Sequence, residues 1–546
     1  RITGLNDISY GITVSGRPPE LENSSEWVGM FINTLPLRVP LSLRQPLLEW
    51  LANIQAQVIE LYSHYQDSLA DVQSWSGFSG NLFDSIVVIE NYPIDQHNLI
   101  SNTNINIQSI KSIEENEYPL SLYVGLGDQI SLTLRIEPSI ISQDLAHGIL
   151  DFIQEILSYW ALNPEQVVGG FINHKFQNLD LKLDWCCGLS TNVNESVIQK
   201  IVDQSFINPT KIAIQDEGGI SFTYEKMISA AQSLRHALEN HGIKPGDNIA
   251  VMGEKSCFTV IGFLGCQLLG ACFIPLDPDL PFARLEATLV DSNSKMIIFN
   301  SQSKNHPLLS LLPNLDIQNS IQNQLLFNNH KPLPETIHMH SLAYMMFTSG
   351  STGRPKGVQI SNTAFANALM SFAKVPGVFE NDIFASVTTL SFDISLAELF
   401  TPLITGATCY LVSKDTARDG IALDRLISKI HPSIMQATPA TWKLLRSVNS
   451  HHKQLQAWSG GEALSSELAK WLLENFKSIS NFYGPTETTI WSTCKKIKSQ
   501  DVNIGTPIDN TDIFLLDTLG LPVFPTCFGE LLIGGLGLAR GYANRP

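Results

Sequence analysis

The spacing of apolar positions changes character partway along the chain. Up to about residue 165, strand-like runs are interleaved with helical stripes. Ile86–Glu90 (IVVIE) and Gln129–Ile136 (QISLTLRI) have the β-branched make-up of strands. Leu145–Trp160 places Leu145, Ile149, Phe152, Ile153 and Ile156 on one stripe, the spacing of an amphipathic helix. Residues 161–194 lose this regularity, are rich in Asn, Gly and Asp, and read as a linker.

From about residue 195 strands and helices alternate, which predicts a mostly parallel sheet covered on both faces. Thr223 is placed to cap a helix whose Met227, Ala231, Leu234 and Leu238 share a face. Gly242 then suits the left-handed position after the helix, with Ile243 packing back on its last turn. Pro245-Gly246-Asp247 turns the chain into a strand over Asn248–Gly253. Residues 257–276 carry no charge, but Gln267, Pro275 and several small residues favour a buried helix and strand over a membrane span. Residues 301–335 are polar and irregular.

At 546 residues the chain is too long for a single core, and 44% hydrophobic against 16% charged residues marks it as globular. A net charge of −17 repels phosphate backbones and anionic lipid, which disfavours nucleic acid and membrane as partners. The eight cysteines lack zinc-site spacing, and the adjacent Cys186 and Cys187 suit no simple disulfide. Reduced thiols in a cytoplasmic protein are expected.

The strongest chemical signal is FTSGSTGRPKG over Phe347–Gly357. Hydroxyls at Thr348, Ser349, Ser351 and Thr352, the Lys356 cation, and backbone amides freed by Gly350 and Gly353 are what a polyphosphate needs. Pro355 before Lys356, and a strand-like Val358-Gln359-Ile360 after it, separate this loop from the P-loop, whose lysine opens a helix. Gly535 and Gly537 do not begin a dinucleotide fingerprint, because Arg540 occupies the third glycine's place.

With this loop, FTYEKM at Phe222, LLGACFIPLD at Leu268, FDIS at Phe392, NFYGPTE at Asn481 and GELLIGGLGLARGY at Gly529 stand in order over residues 195–546. In that set the chain resembles the amino-acid adenylation domains of nonribosomal peptide synthetases, within the adenylate-forming, AMP-binding superfamily. Residues 1–165 resemble the C-terminal lobe of a condensation domain, through VSGRPPEL at Val14, WVGMFINTLPLR at Trp27, HYQDSL at His64 and LFDSIVVIENYP at Leu82. The implied fold is α/β and multidomain. A partial chloramphenicol-acetyltransferase-like α+β lobe precedes the large α/β subdomain of an adenylate-forming enzyme, with 166–194 as linker.

The resemblance implies attack of an amino-acid carboxylate on the α-phosphate of ATP, then transfer of the acyl group to phosphopantetheine on a partner carrier domain. Thr348, Lys356 and Glu487 are the implied catalytic set, with Glu487 also the Mg²⁺ ligand. Ser349, Gly350, Ser351, Thr352, Gly353, Asn481, Tyr483, Gly484 and Thr486 are the implied nucleotide contacts. Asp393 matches the carboxylate that anchors the substrate's α-ammonium. Offsets from the matched motifs give Ile394, Ala397, Gln436, Trp458, Gly460, Phe482, Ile490 and Trp491 as the side-chain pocket. The set carries no second charge and is dominated by bulky apolar groups, so a small uncharged amino acid is expected, glycine first and alanine second. Upstream and downstream carrier domains, and a small MbtH-like helper protein, are the implied partners.

The condensation family's HHxxxDG motif is absent, since His451-His452 is followed by KQLQA and reads as a solvated loop pair. The catalytic condensation lobe is therefore expected upstream of Arg1. The adenylation family's TGD motif and mobile C-terminal subdomain with its lysine are also absent, so weak adenylate formation is expected of these residues alone. Two rival functions are an acyl-CoA ligase and a non-catalytic docking segment. Asp393 and the condensation lobe speak against the first, and amino-acid-dependent pyrophosphate exchange separates the second.

Overall fold

The computed structural model describes residues 7–15, 28–29, 31–90, 117–126, 129–171, 187–324, 337–348, 355–517, 520, 522–523 and 528–545. They form two compact units, Arg1–Leu181 with Leu515–Glu530, and Lys182–Phe514 with Leu531–Pro546.

In the first unit, Ile32–Pro40, Asp7–Ser15, Ser85–Glu90, Leu120–Leu126 and Ile130–Ile136 make a five-stranded sheet in that spatial order. Its outer pairs are antiparallel and its central pairs parallel. Alternate residues Ile12, Val14, Leu35, Leu37 and Val39 point to one face and form the local core. The helix expected over Leu145–Trp160 runs over Gln143–Leu162, because Ser142 caps it by accepting from the Leu145 amide. The start of the expected linker is not free chain. Val168 donates to the Gln45 carbonyl and Gly169 to that of Leu43, while Val168 and Phe171 are buried.

The second unit contains two large sheets. One orders Asn314–Asp316, Met296–Phe299, Asn248–Met252, Cys272–Leu276, Leu342–Thr348, Lys356–Ser361 and Gly541–Tyr542. The other has nine strands, with Phe476–Tyr483, His452–Ser459, Ile434–Ala437, Ile383–Ser386, Thr408–Leu411 and Ile212–Asp216 as its parallel centre. Strand alternation divides the apolar side chains between layers. Ile249, Val251, Phe273 and Tyr344 from one sheet meet Ile214, Phe384, Ile434 and Trp458 from the other in one core, with the buried helices Cys257–Leu269, Asn362–Phe372 and Ile394–Thr405. The opposite faces have separate cores under outer helices. Shared helices between two sheets let segments from both reach one site.

The uncharged stretch 257–276 forms the helix Cys257–Leu269 and the strand Cys272–Leu276, with Ser256 as cap and Gly270 as left-handed stop. Among the described residues no helix is long and apolar enough to cross a membrane. Thr223 caps Tyr224–Asn240 by accepting from Lys226, and Gly242 has φ +80°. Two readings need correction. Residues 301–324 are not irregular throughout, since Asn314–Asp316 is an edge strand and Ile317–Gln324 a helix. His452 is not a solvated loop residue: it opens the strand His452–Ser459, and its ring nitrogen lies 2.8 Å from Asp424. A short polar sequence conceals such elements because tertiary pairing, not local apolar period, holds them. Cys257, Cys266, Cys272 and Cys409 are buried free thiols, whereas Cys186 lies outside the described residues.

Candidate active site

The candidate residues gather where the parallel strands of the nine-stranded sheet end, the usual location of ligands on such sheets. Ser386, Gln436, Trp458 and Ser480 lie side by side on four adjacent strands. Gln436 and Trp458 therefore share a face, the one that meets the buried helix Ile394–Thr405.

Asp393 stands at the head of that helix and is 6% exposed. Its side chain does not cap the helix, and its Oδ2 is buried without a hydrogen-bond partner. Burial raises its pKa to about 6, opposed by Thr486 and the Ile394 amide and reinforced by the nearby charge of Glu487. A buried carboxylate oxygen without a partner is costly unless a cation meets it.

Beyond Asp393 the wall is aromatic. Phe482 and Trp491 stack with centroids 4.2 Å apart, Trp458 lies 5.2 Å from Phe482, and Phe372 lies 4.9 Å from Trp491. Ile394, Ala397, Ile490 and the three aromatic candidates all belong to one buried cluster. Gly460 is needed there, since a Cβ would come within 2.9 Å of Trp491 Nε1 and 3.3 Å of Phe482 Cβ. Gly484 is similarly constrained, as a Cβ would meet the Trp491 backbone at 2.5 Å. Between these residues Thr489 and Ile490 have φ of +64° and +68°, a strained pair for β-branched side chains. The turn is held by Thr489 Oγ1 donating to the Gly537 carbonyl (2.7 Å) and by Ser492 N donating to the Tyr483 carbonyl (2.8 Å).

The phosphate-loop candidates sit on the seven-stranded sheet. Thr348 ends one strand directly opposite Lys356, which begins the antiparallel next. Ser349, Gly350, Ser351, Thr352 and Gly353 lie outside the described residues. Lys356 Nζ is 5.2 Å from the centre of the Tyr542 ring, and the Tyr542 hydroxyl donates to Glu487 Oε1 at 2.6 Å. One tyrosine thus links the loop lysine to the candidate magnesium ligand. Of the proposed adenine contacts, Tyr483 is exposed. Asn481 is buried, its amide donating to the Asn503 carbonyl at 3.0 Å while its Oδ1 has no partner.

Residues 203–543 match the family model described as AMP-binding enzyme. The chain belongs to that family. Ahead of this AMP-binding domain, residues 1–171 match the model described as Condensation domain, so the chain is a condensation–adenylation segment of nonribosomal-peptide-synthetase type. It is 31% identical to a linear gramicidin synthase of Brevibacillus parabrevis over 575 residues, covering 100% of this chain and 7% of the relative. Against tyrocidine synthase 3 of the same organism it is 28% identical, covering 99% of this chain and 8% of the relative. The chain thus spans less than a tenth of the length of these two relatives. A crystal structure of a holo four-domain nonribosomal peptide synthetase bound to AMP and glycine aligns with a TM-score of 0.86 and 26% identity, covering 99% of this chain and 42% of that one.

Sequence reading of this AMP-binding domain missed Tyr542 as a site residue, although it closes the quoted GELLIGGLGLARGY motif. Its strand Gly541–Tyr542 is two residues long and gives no periodic signal. Thr388 and Glu398 were missed too. They are five residues to either side of Asp393, and only the fold turns them toward Gln436.

Proposed function

We propose that this protein activates a small uncharged amino acid, glycine before alanine, as its aminoacyl-AMP. The observation that carries the reading is the buried, unpartnered Oδ2 of Asp393 beside a closed aromatic wall. A substrate α-ammonium supplies the missing partner. The wall of Trp458, Phe482 and Trp491, each at most 2% exposed, then leaves little room for a side chain. The solved relative bound to AMP and glycine supports the same choice.

In the reaction an oxygen of the substrate carboxylate bonds to the α-phosphorus of ATP as the bond to pyrophosphate breaks. Lys356 would meet the charge on the phosphates, and Glu487 would hold Mg²⁺ through a carboxylate oxygen, the ion supplying further charge neutralisation. Transfer to a carrier domain's phosphopantetheine thiol follows from the same reading.

Exchange of labelled pyrophosphate into ATP, run with the full-length protein over all proteinogenic amino acids, is expected to rank glycine first and alanine second. One methylene separates neighbours by only about 1–3 kcal/mol, so measurable alanine turnover is expected. A preference for phenylalanine, leucine, lysine or glutamate would refute this pocket assignment.

Acid is expected to act on amino-acid binding selectively. Asp393 has a folded pKa near 6, above its ordinary value of 3.8. Its ionisation therefore opposes folding, an effect absent below the ordinary value and complete above the raised one. Ammonium binding needs the ionised form. Below pH 6 the half-saturating amino-acid concentration should rise about tenfold per pH unit, while ATP binding changes little. A flat amino-acid profile between pH 7 and pH 5 would count against Asp393 as the anchor.

A further inference from the structure

Beneath the pocket lies a buried polar chain that the reaction does not use. Glu398, in the helix Ile394–Thr405, is 0% exposed. Its Oε2 accepts from Ser386 Oγ at 2.8 Å and from the Thr388 amide at 3.0 Å, and its Oε1 accepts from the Thr388 hydroxyl. Lys255, half-buried nearby, donates to the Ser386 carbonyl at 3.0 Å. Burial pushes the Glu398 carboxyl above its ordinary value, opposed by the Lys255 charge and by the Thr388 and Ser386 donors. The Thr388 oxygen also lies 3.0 Å from Gln436 Oε1, while Gln436 Nε2 is buried without any partner.

One hydroxyl has one proton. A carboxylate that already accepts two other donors beside a lysine takes it, because charge-assisted bonds are the stronger ones. The Thr388 oxygen then turns a lone pair toward Gln436, and an amide oxygen at that place would be repelled. The two ends of a glutamine amide have the same shape, so a half-turn about the last bond exchanges them. It lets Nε2 donate to Thr388 and leaves Oε1 on the other side.

We infer that Thr388 is a positioning residue that turns Gln436 so that its carbonyl oxygen, not its NH2, faces the amino-acid pocket. This rests on the proposed function only for what occupies the pocket. The direction of the chain, from Gln436 through Thr388 to Glu398, follows from the buried groups themselves. The pocket then presents an acceptor at Gln436, suited to a bound water beside glycine or to a small donor group, and unsuited to an acceptor-only side chain.

Thr388→Val keeps the shape and removes the hydroxyl, whereas Thr388→Ser does the reverse. In the full-length protein T388V should raise the KM for the preferred amino acid about tenfold, with kcat and the KM for ATP moving less than about threefold. T388S should stay within about threefold of the parent. A packing role predicts the opposite ranking. A second readout needs no turnover: with nitrogen-15 glutamine, the side-chain amide signal that disappears in Gln436→Leu should shift in T388V and return in T388S. It tests the chain of hydrogen bonds even if no amino acid is activated, which separates failure of this inference from failure of the proposed function. An unmoved signal in T388V, a shifted signal with unchanged KM, or a KM kept by Val and lost by Ser each overturns it.

Discussion

Asp393→Ala should abolish most amino-acid binding and leave ATP binding nearly intact. The substitution removes the carboxylate whose Oδ2 stands unpartnered for an α-ammonium, and truncating one partner of a buried charged pair costs about 2–5 kcal/mol. A hundred- to a thousand-fold loss of amino-acid affinity, about 3–4 kcal/mol, is expected. The apo protein should not be weakened, because the buried ionised carboxylate opposes folding at neutral pH. Calorimetric titration with each ligand separates this variant from Lys356→Ala and Glu487→Ala, which should instead impair ATP and Mg²⁺ handling. Equal loss of both ligands in the Asp393 variant would refute the assignment.

Glu398→Ala should be the most destabilising substitution near the site. It leaves the Ser386 and Thr388 hydroxyls and the Thr388 amide without their acceptor, and removes the negative charge that acts on the half-buried Lys255. Breaking a buried charged network by removing one member costs about 3–5 kcal/mol. Burial already depresses Lys255 to a pKa of about 8, and without Glu398 it should fall further. The denaturation midpoint of the larger unit is the measurement. The double variant K255M/E398L, which replaces charge with apolar bulk, should recover much of the loss. A Glu398→Ala protein as stable as the parent would show that the network carries no stabilisation.

What the sequence revealed and what it hid divide along physical lines. Helices with a cap, an apolar stripe and a glycine stop, such as Tyr224–Asn240, could be read almost to the residue, because each signal is local. Candidate pocket residues could be proposed from motif offsets. Their mutual contacts could not. That Phe482 stacks on Trp491, that Thr489 and Ile490 take left-handed backbone, or that Tyr542 reaches Glu487 from 55 residues away depends on how strands order within sheets. The edge strand Asn314–Asp316 stayed hidden for the same reason.

The two central sheets have a consequence for how such a protein changes over generations. The strands that end at Thr348 and begin at Lys356, on either side of the candidate phosphate loop, belong to the seven-stranded sheet, whereas Gln436, Trp458 and Phe482 stand on the nine-stranded one. Replacements at the candidate pocket positions on strand tips of one sheet can therefore accumulate while the segments flanking the candidate phosphate loop on the other stay unaltered. Because the aromatic rings of the candidate pocket lean on one another, single exchanges among them will often be rejected, and new preferences should arise through coordinated replacements of neighbours. A laboratory library that varies these tips jointly explores the routes open to a natural lineage.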